Sequence, residues 1–135
     1  MLRRIVPVAV LLSTILLFVA LMAPYFGSDR HYLRTTAAQA QIHNFGTALG
    51  AYKRDTGVFP TTEEGLRALR VKPEGVNRWA GPYMPYGIPR DPWGHDYMYK
   101  YPGEHGGEPD IISYGADGEA GGDGRNADIV SWKNQ

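Results

Sequence analysis

The sequence contains no cysteine among its 135 residues. The protein therefore has no disulfide, no thiolate metal ligand and no thiol nucleophile. It also lacks an excess of charge of either sign, because 14 lysine and arginine residues match 14 aspartate and glutamate residues. A neutral chain is a poor electrostatic partner for phosphates, so we expect no nucleic-acid binding. The length admits one modest domain.

Recognisable catalytic motifs are missing as well. The chain has no phosphate-binding motif of the Walker or dinucleotide type, and its four histidines share no spacing typical of metal ligands. Ser113, His105 and Asp110 are close in sequence, but no G-x-S-x-G pattern surrounds the serine. We therefore expect a protein that is not an enzyme.

Charge is absent from one long stretch near the N-terminus. Residues 5–23 are apolar apart from Pro7, Ser13 and Thr14, and nineteen such residues are enough to cross a bilayer. Residues 20–23 form a poor signal-peptidase site, which favours a retained anchor over a cleaved signal. The stretch predicts a transmembrane helix.

The charges that flank this stretch predict its orientation. Arg3 and Arg4 precede it, and the positive-inside rule then puts the N-terminus in the cytoplasm. We expect a single-pass inner-membrane protein. Residues 1–27 would form the cytoplasmic stub and transmembrane helix, and residues 28–135 a periplasmic globular domain.

Helical periodicity continues beyond the apolar stretch. Apolar residues recur every three or four positions and so share one helix face. They are Ala38, Ile42, Phe45, Leu49 and Tyr52. The pattern predicts one helix over residues 5–55, kinked at Pro24 and capped by Gly57. The periodicity leaves open an alternative, in which a membrane anchor and a separate core helix are joined near residues 27–28.

The rest of the chain is predicted to form short elements. Thr61 and Glu64 have the spacing of a capping box and predict a helix from Thr62 to Val71. Residues 73–92, rich in proline, glycine and aromatics, predict an ordered loop. Three β-like runs, at residues 97–101, 110–114 and 128–132, predict a small antiparallel sheet packed on the long helix.

The segment from residue 103 to 128 is strongly acidic and rich in glycine. It holds seven acidic residues against the single base Arg125. Crowded carboxylates repel one another, and calcium, which binds carboxylate and carbonyl oxygens, would neutralise them. The twelve residues from Asp117 to Asp128 match an EF-hand loop only in part, so we reject that motif. A solvated acidic turn without a ligand is the alternative.

Several strings in order along the chain resemble the major pseudopilins of the type II secretion system. They are residues 48–66, residues 91–94 with Tyr97, residues 102–106, residues 113–118, and residues 127–129 with Trp132. The resemblance covers nearly all of residues 45–132.

This resemblance implies a fold, a function and a metal site. The fold would be α+β, a pilin-like lollipop whose long N-terminal helix has a transmembrane half and packs on a small antiparallel sheet with a C-terminal calcium loop. Many copies would polymerise into a pseudopilus, with minor pseudopilins and an inner-membrane secretion platform as partners, and drive protein export across the outer membrane. Asp117 and Asp128 would ligate calcium by their side chains, together with the Tyr114 carbonyl and Asp123.

The N-terminus departs from the family pattern. Counted back from the matching strings, Leu2 stands where the family has the glycine of the cleavage junction, Arg3 at the first mature position, and Pro7 where the assembly glutamate belongs. We therefore expect the N-terminus to be retained. The departure leaves open an alternative function, a monomeric, membrane-anchored calcium-binding interaction module that forms no filaments.

Overall fold

The computed structural model describes the backbone of residues 2–134 and the side chains of residues 10–22 and 30–133. One α-helix, α1, runs from Leu2 to Thr56. This confirms the prediction of a continuous helix over the alternative of two separate helices. The kink predicted at Pro24 falls outside the described side chains. The chain forms two compact units that divide between Leu33 and Arg34, and the predicted domain boundary after residue 27 stays a prediction.

The N-terminal unit exposes its apolar side chains. From Val10 to Leu21, every large hydrophobic residue is more than half exposed, and Leu16 is 69% exposed. Within the part of the chain that the structure describes, no helix combines the length and the apolar character needed to cross a membrane. The predicted transmembrane run, residues 5–23, includes positions outside the described side chains.

A three-stranded antiparallel sheet lies in the second unit. Its strands are β1 (Met98–Lys100), β2 (Asp110–Ser113) and β3 (Ile129–Val130), in that spatial order. Tyr99 is opposite Ile111 and Ile112 is opposite Val130. The predicted sheet is confirmed, with shorter strands.

The third predicted strand is wrong at its C-terminal end. Residues Ser131–Asn134 form a 3-10 helix instead. The Ile111 N–H donates to the Ser131 hydroxyl at 3.1 Å, so a side chain takes the place of the next backbone partner. Trp132 then stacks on His105, with ring centroids 3.7 Å apart and planes 3° apart.

The core lies between the second half of α1 and the sheet. All five residues of the predicted stripe are buried, none more than 6% exposed. The ring of Phe45 packs edge-on against Tyr97, with centroids 5.1 Å apart, and the Tyr99 hydroxyl donates to the Pro60 carbonyl at 2.8 Å. Burial of this stripe against its own sheet is what holds the C-terminal half of the helix to the domain.

The predicted helix from Thr62 to Val71 is also wrong in type. The capping box forms, because the Thr61 amide donates to Glu64 Oε2 at 2.9 Å and the Glu64 amide donates to Thr61 Oγ1 at 3.2 Å. Gly65 then adopts φ 58° and ψ −163°, which an α-helix cannot accommodate, and only a 3-10 helix, Leu66–Leu69, forms beyond it. Residues 73–92 form the predicted ordered loop.

Candidate functional site

The acidic, glycine-rich loop connects β2 to β3 and spans residues 114–128. Asp123 precedes a short 3-10 helix, Gly124–Asn126, and itself has extended backbone angles. Two glycines allow the backbone to approach itself. A Cβ on Gly115 would lie 2.9 Å from the Ala127 carbonyl oxygen, and one on Gly122 would lie 2.6 Å from the Asn126 carbonyl oxygen. Both glycines also have positive φ. A side chain at either position would therefore strain the backbone as well as collide with a carbonyl oxygen.

The predicted ligands occupy different environments in this loop. Asp128 Oδ2 accepts the Gly121 amide at 2.9 Å, whereas its Oδ1 is buried and has no hydrogen-bond partner among the described residues. Asp117 is exposed, and its Oδ1 accepts the Glu119 amide at 3.2 Å. Asp123 is exposed, and Tyr114 is half-buried.

The structure does not gather these carboxylates into a three-residue cluster. Among the residues whose side chains are described, no three histidine, aspartate or glutamate side chains are grouped so that they could hold a metal ion. Calcium, however, also takes backbone carbonyl oxygens as ligands. The unpartnered Oδ1 of Asp128 is a buried oxygen that lacks a donor, and such an atom is costly unless a proton donor or a cation satisfies it. The buried oxygen of Asp128 therefore fits a hard cation as its missing partner.

Sequence reasoning missed the group that supports this loop, the buried carboxylate of Asp91. Its Oδ1 accepts the amides of Trp93 at 3.0 Å and His95 at 2.8 Å, and its Oδ2 accepts the Ser113 hydroxyl at 2.6 Å. The Asp91 amide in turn donates to the His95 carbonyl at 2.8 Å. An aspartate before Pro92 is a turn signal, but nothing in the sequence says that the turn meets Ser113 at the end of β2.

The hydrogen bonds of Ser113 and His105 show whether the two residues could form a catalytic triad. Ser113 is fully buried and donates to Asp91, whereas His105 Nδ1 lies 2.9 Å from Asp110 Oδ2. The serine and this histidine thus have separate carboxylate partners. The arrangement is a set of structural hydrogen bonds, and no Ser–His–Asp relay is assembled from them.

Tyr97 lies close to this network. Burial, with a smaller effect of the Asp91 charge, raises the pKa of Tyr97 to about 12. Its hydroxyl is buried and has no hydrogen-bond partner within the described part of the chain. The phenol therefore stays neutral at any physiological pH.

Comparison with known proteins gives the family. The family described as "Type II secretion system (T2SS), protein G" matches residues 28–132. The chain belongs to this family. The same match confirms the prediction of a structural pseudopilin that is not an enzyme.

Individual relatives agree. The type II secretion system core protein G of Vibrio cholerae is 47% identical over 91 residues, which are 65% of this chain and 61% of that protein. The core protein G of Pseudomonas aeruginosa is 38% identical over 118 residues, 85% of this chain and 82% of that protein. The chain thus spans about three fifths of the Vibrio relative and four fifths of the Pseudomonas one.

A solved structure confirms the predicted α+β, pilin-like fold. The crystal structure of the major pseudopilin from the type 2 secretion system of enterohaemorrhagic Escherichia coli superposes with a TM-score of 0.65 at 32% identity. The match covers 78% of this chain and 92% of that one. The descriptions of the family and of these relatives place them in the type II secretion system.

Proposed function

We propose that the chain is a subunit of a type II secretion pseudopilus, built from many copies together with minor pseudopilins on an inner-membrane platform. Residues 5–23 would anchor it in the inner membrane, with the N-terminus in the cytoplasm and the globular domain in the periplasm. Family membership and the apolar run support this proposal. Growth of the polymer would move secreted proteins toward the outer membrane.

The assembly proposal rests on a difference in exposure between the two parts of α1. The apolar face from Ala38 to Tyr52 is buried within the globular domain. The large apolar side chains from Val10 to Leu21 are each more than half exposed. In lipid, helices associate through close packing of such surfaces. Contacts between copies should therefore come chiefly from residues 5–26.

Electron microscopy of the full chain, co-produced with its secretion platform, tests the proposal. Regular fibres are the expected result, and dispersed monomers would favour the anchored interaction module. Leu16→Ser should reduce fibre formation, because Leu16 is 69% exposed in the proposed contact region. Leu33→Ser is the matched control, since Leu33 is 65% exposed on the same helix but outside that region. Membrane fractionation of both variants separates loss of insertion from loss of assembly.

We also propose that the loop of residues 114–128 binds calcium. Asp117 and Asp128 would provide carboxylate oxygens and Tyr114 its carbonyl, with Asp123 as a further ligand. The support is the unpartnered buried oxygen of Asp128 and the excess of negative charge in a glycine-rich segment. A bound cation would neutralise that charge and close the loop.

A further inference from the structure

The ring of His95 contacts the glycine-rich loop at two points. Its Nδ1 lies 3.2 Å from the Gly115 carbonyl oxygen. A carbonyl can only accept, so Nδ1 carries the hydrogen and donates it. The ring also covers Gly118, because a Cβ on that glycine would lie 2.9 Å from both Cε1 and Nε2 of the histidine. These two contacts bracket Asp117.

The position of this ring is itself fixed by the core. The His95 amide donates to Asp91 Oδ1 at 2.8 Å, and the Asp91 amide donates to the His95 carbonyl at 2.8 Å. Asp91 is 5% exposed and accepts the hydroxyl of Ser113, which ends β2 immediately before Tyr114. A continuous series of hydrogen bonds therefore runs from the sheet through the turn of residues 91–95 to the first part of the loop.

We propose that His95 is a positioning residue for cation binding, acting on the backbone of residues 115–118. This inference rests on the proposed calcium site. Gly115 and Gly118 each have many accessible conformations, and ordering them costs conformational entropy at the moment of binding. The His95 ring holds both glycines beforehand, so the Tyr114 carbonyl and the Asp117 carboxylate are kept near their binding positions. Groups that orient metal ligands in this way typically change affinity by about 10- to 100-fold.

The test is the calcium affinity of the full chain in detergent micelles, measured by titration calorimetry. His95→Ala should weaken calcium binding by about 10-fold or more. His95→Phe keeps a ring over Gly118 but loses the donor to Gly115, and it should weaken binding as well. His95→Gln restores a donor and should recover part of the affinity. His43→Ala is the matched control, because His43 is exposed on α1 and belongs to neither the turn nor the loop.

Melting in the presence of a chelator shows whether each variant is folded, and this measurement separates positioning from general stability. If wild type and His95→Phe are both folded and bind calcium equally, His95 has no positioning role, and the calcium site itself stands. If the wild type gives no calcium signal, the calcium site and the role of His95 are both overturned, whereas the pseudopilus assignment is unaffected. Weakened binding in folded His95 variants, with His43→Ala unchanged, supports the inference.

Discussion

Removal of the Asp91 carboxylate should destabilise the globular domain strongly. Asp91 is 5% exposed and accepts three hydrogen bonds, from the Trp93 amide, the His95 amide and the Ser113 hydroxyl. Asp91→Ala removes both acceptor oxygens, and with them all three hydrogen bonds, and puts no polar atom in their place. The donors lose these acceptors in a largely dry environment.

The loss of unfolding free energy depends on the burial of each donor. Ser113 is fully buried, so leaving its hydroxyl without an acceptor destabilises the domain by about 1 to 3 kcal/mol. The amides of Trp93 and His95 lie in half-buried surroundings and add about 1 kcal/mol each. The expected loss is about 3 to 5 kcal/mol, and for a domain of this size each kcal/mol lowers the melting temperature by about 4 to 8 °C. Asp91→Asn keeps one acceptor oxygen and should cost only about 1 to 2 kcal/mol.

Urea unfolding of fragment 28–135, monitored by circular dichroism, measures these losses. The matched control is Asp96→Ala, five residues further on, whose carboxylate is 84% exposed and pairs with Arg90 at 3.2 Å on the surface. Such a surface pair contributes about 0 to 1 kcal/mol. If Asp91→Ala and Asp96→Ala unfold at the same urea concentration, the Asp91 hydrogen bonds do not hold the turn to the sheet, and the reasoning is wrong.

Three further predictions concern assembly, calcium and pH. Fragment 28–135 should sediment as a monomer, because it lacks the whole of the proposed contact region, residues 5–26. Stable oligomers at micromolar concentration would place the interface in the globular half. Calcium at about a hundred times its dissociation constant should stabilise the same fragment by about 2.7 kcal/mol, and Asp117→Ala, but not Asp96→Ala, should abolish the shift in melting temperature. Burial first, then the Asp91 charge, raises the pKa of Tyr97 from 10.0 to about 12, so its contribution to stability is complete below pH 10 and is lost as the pH rises toward 12. Alkaline unfolding curves should show a smaller loss for Tyr97→Phe, and no change for the control Tyr86→Phe, because Tyr86 is fully exposed.

The elements with a strong local pattern were predictable from the sequence. The stripe from Ala38 to Tyr52 has helical spacing, and every member is buried. The reciprocal hydrogen bonds of Thr61 and Glu64 also form as their spacing indicates. The 3-10 helix beyond the capping box was not predictable from that motif, because the backbone angles of Gly65 override it. A glycine permits conformations that the surrounding pattern does not reveal.

In the candidate site, too, local features could be predicted from the sequence and long-range contacts could not. The acidic loop can be recognised from its composition. Composition and the family resemblance together predict a calcium site with Asp117, Asp123 and Asp128 as ligands. The Asp91 turn joins residues that are 22 positions apart in sequence, Asp91 and Ser113. The contact between His95 and Gly115 spans 20 positions. No local pattern encodes such pairs, because they exist only once β2 and the preceding loop have packed together.

The two halves of α1 have different requirements for partners. In the half from Arg34 onward, the apolar face is satisfied within the domain, so substitutions there should act on folding. From Val10 to Leu21 the large apolar side chains are each more than half exposed, and their burial requires lipid or another copy of the chain. Substitutions in this stretch should therefore alter assembly without changing the stability of the globular domain. This separation allows filament formation to be examined genetically. Loss of fibres by Leu16→Ser with an unaltered domain would show that apolar packing sustains assembly in a chain whose seventh residue is a proline.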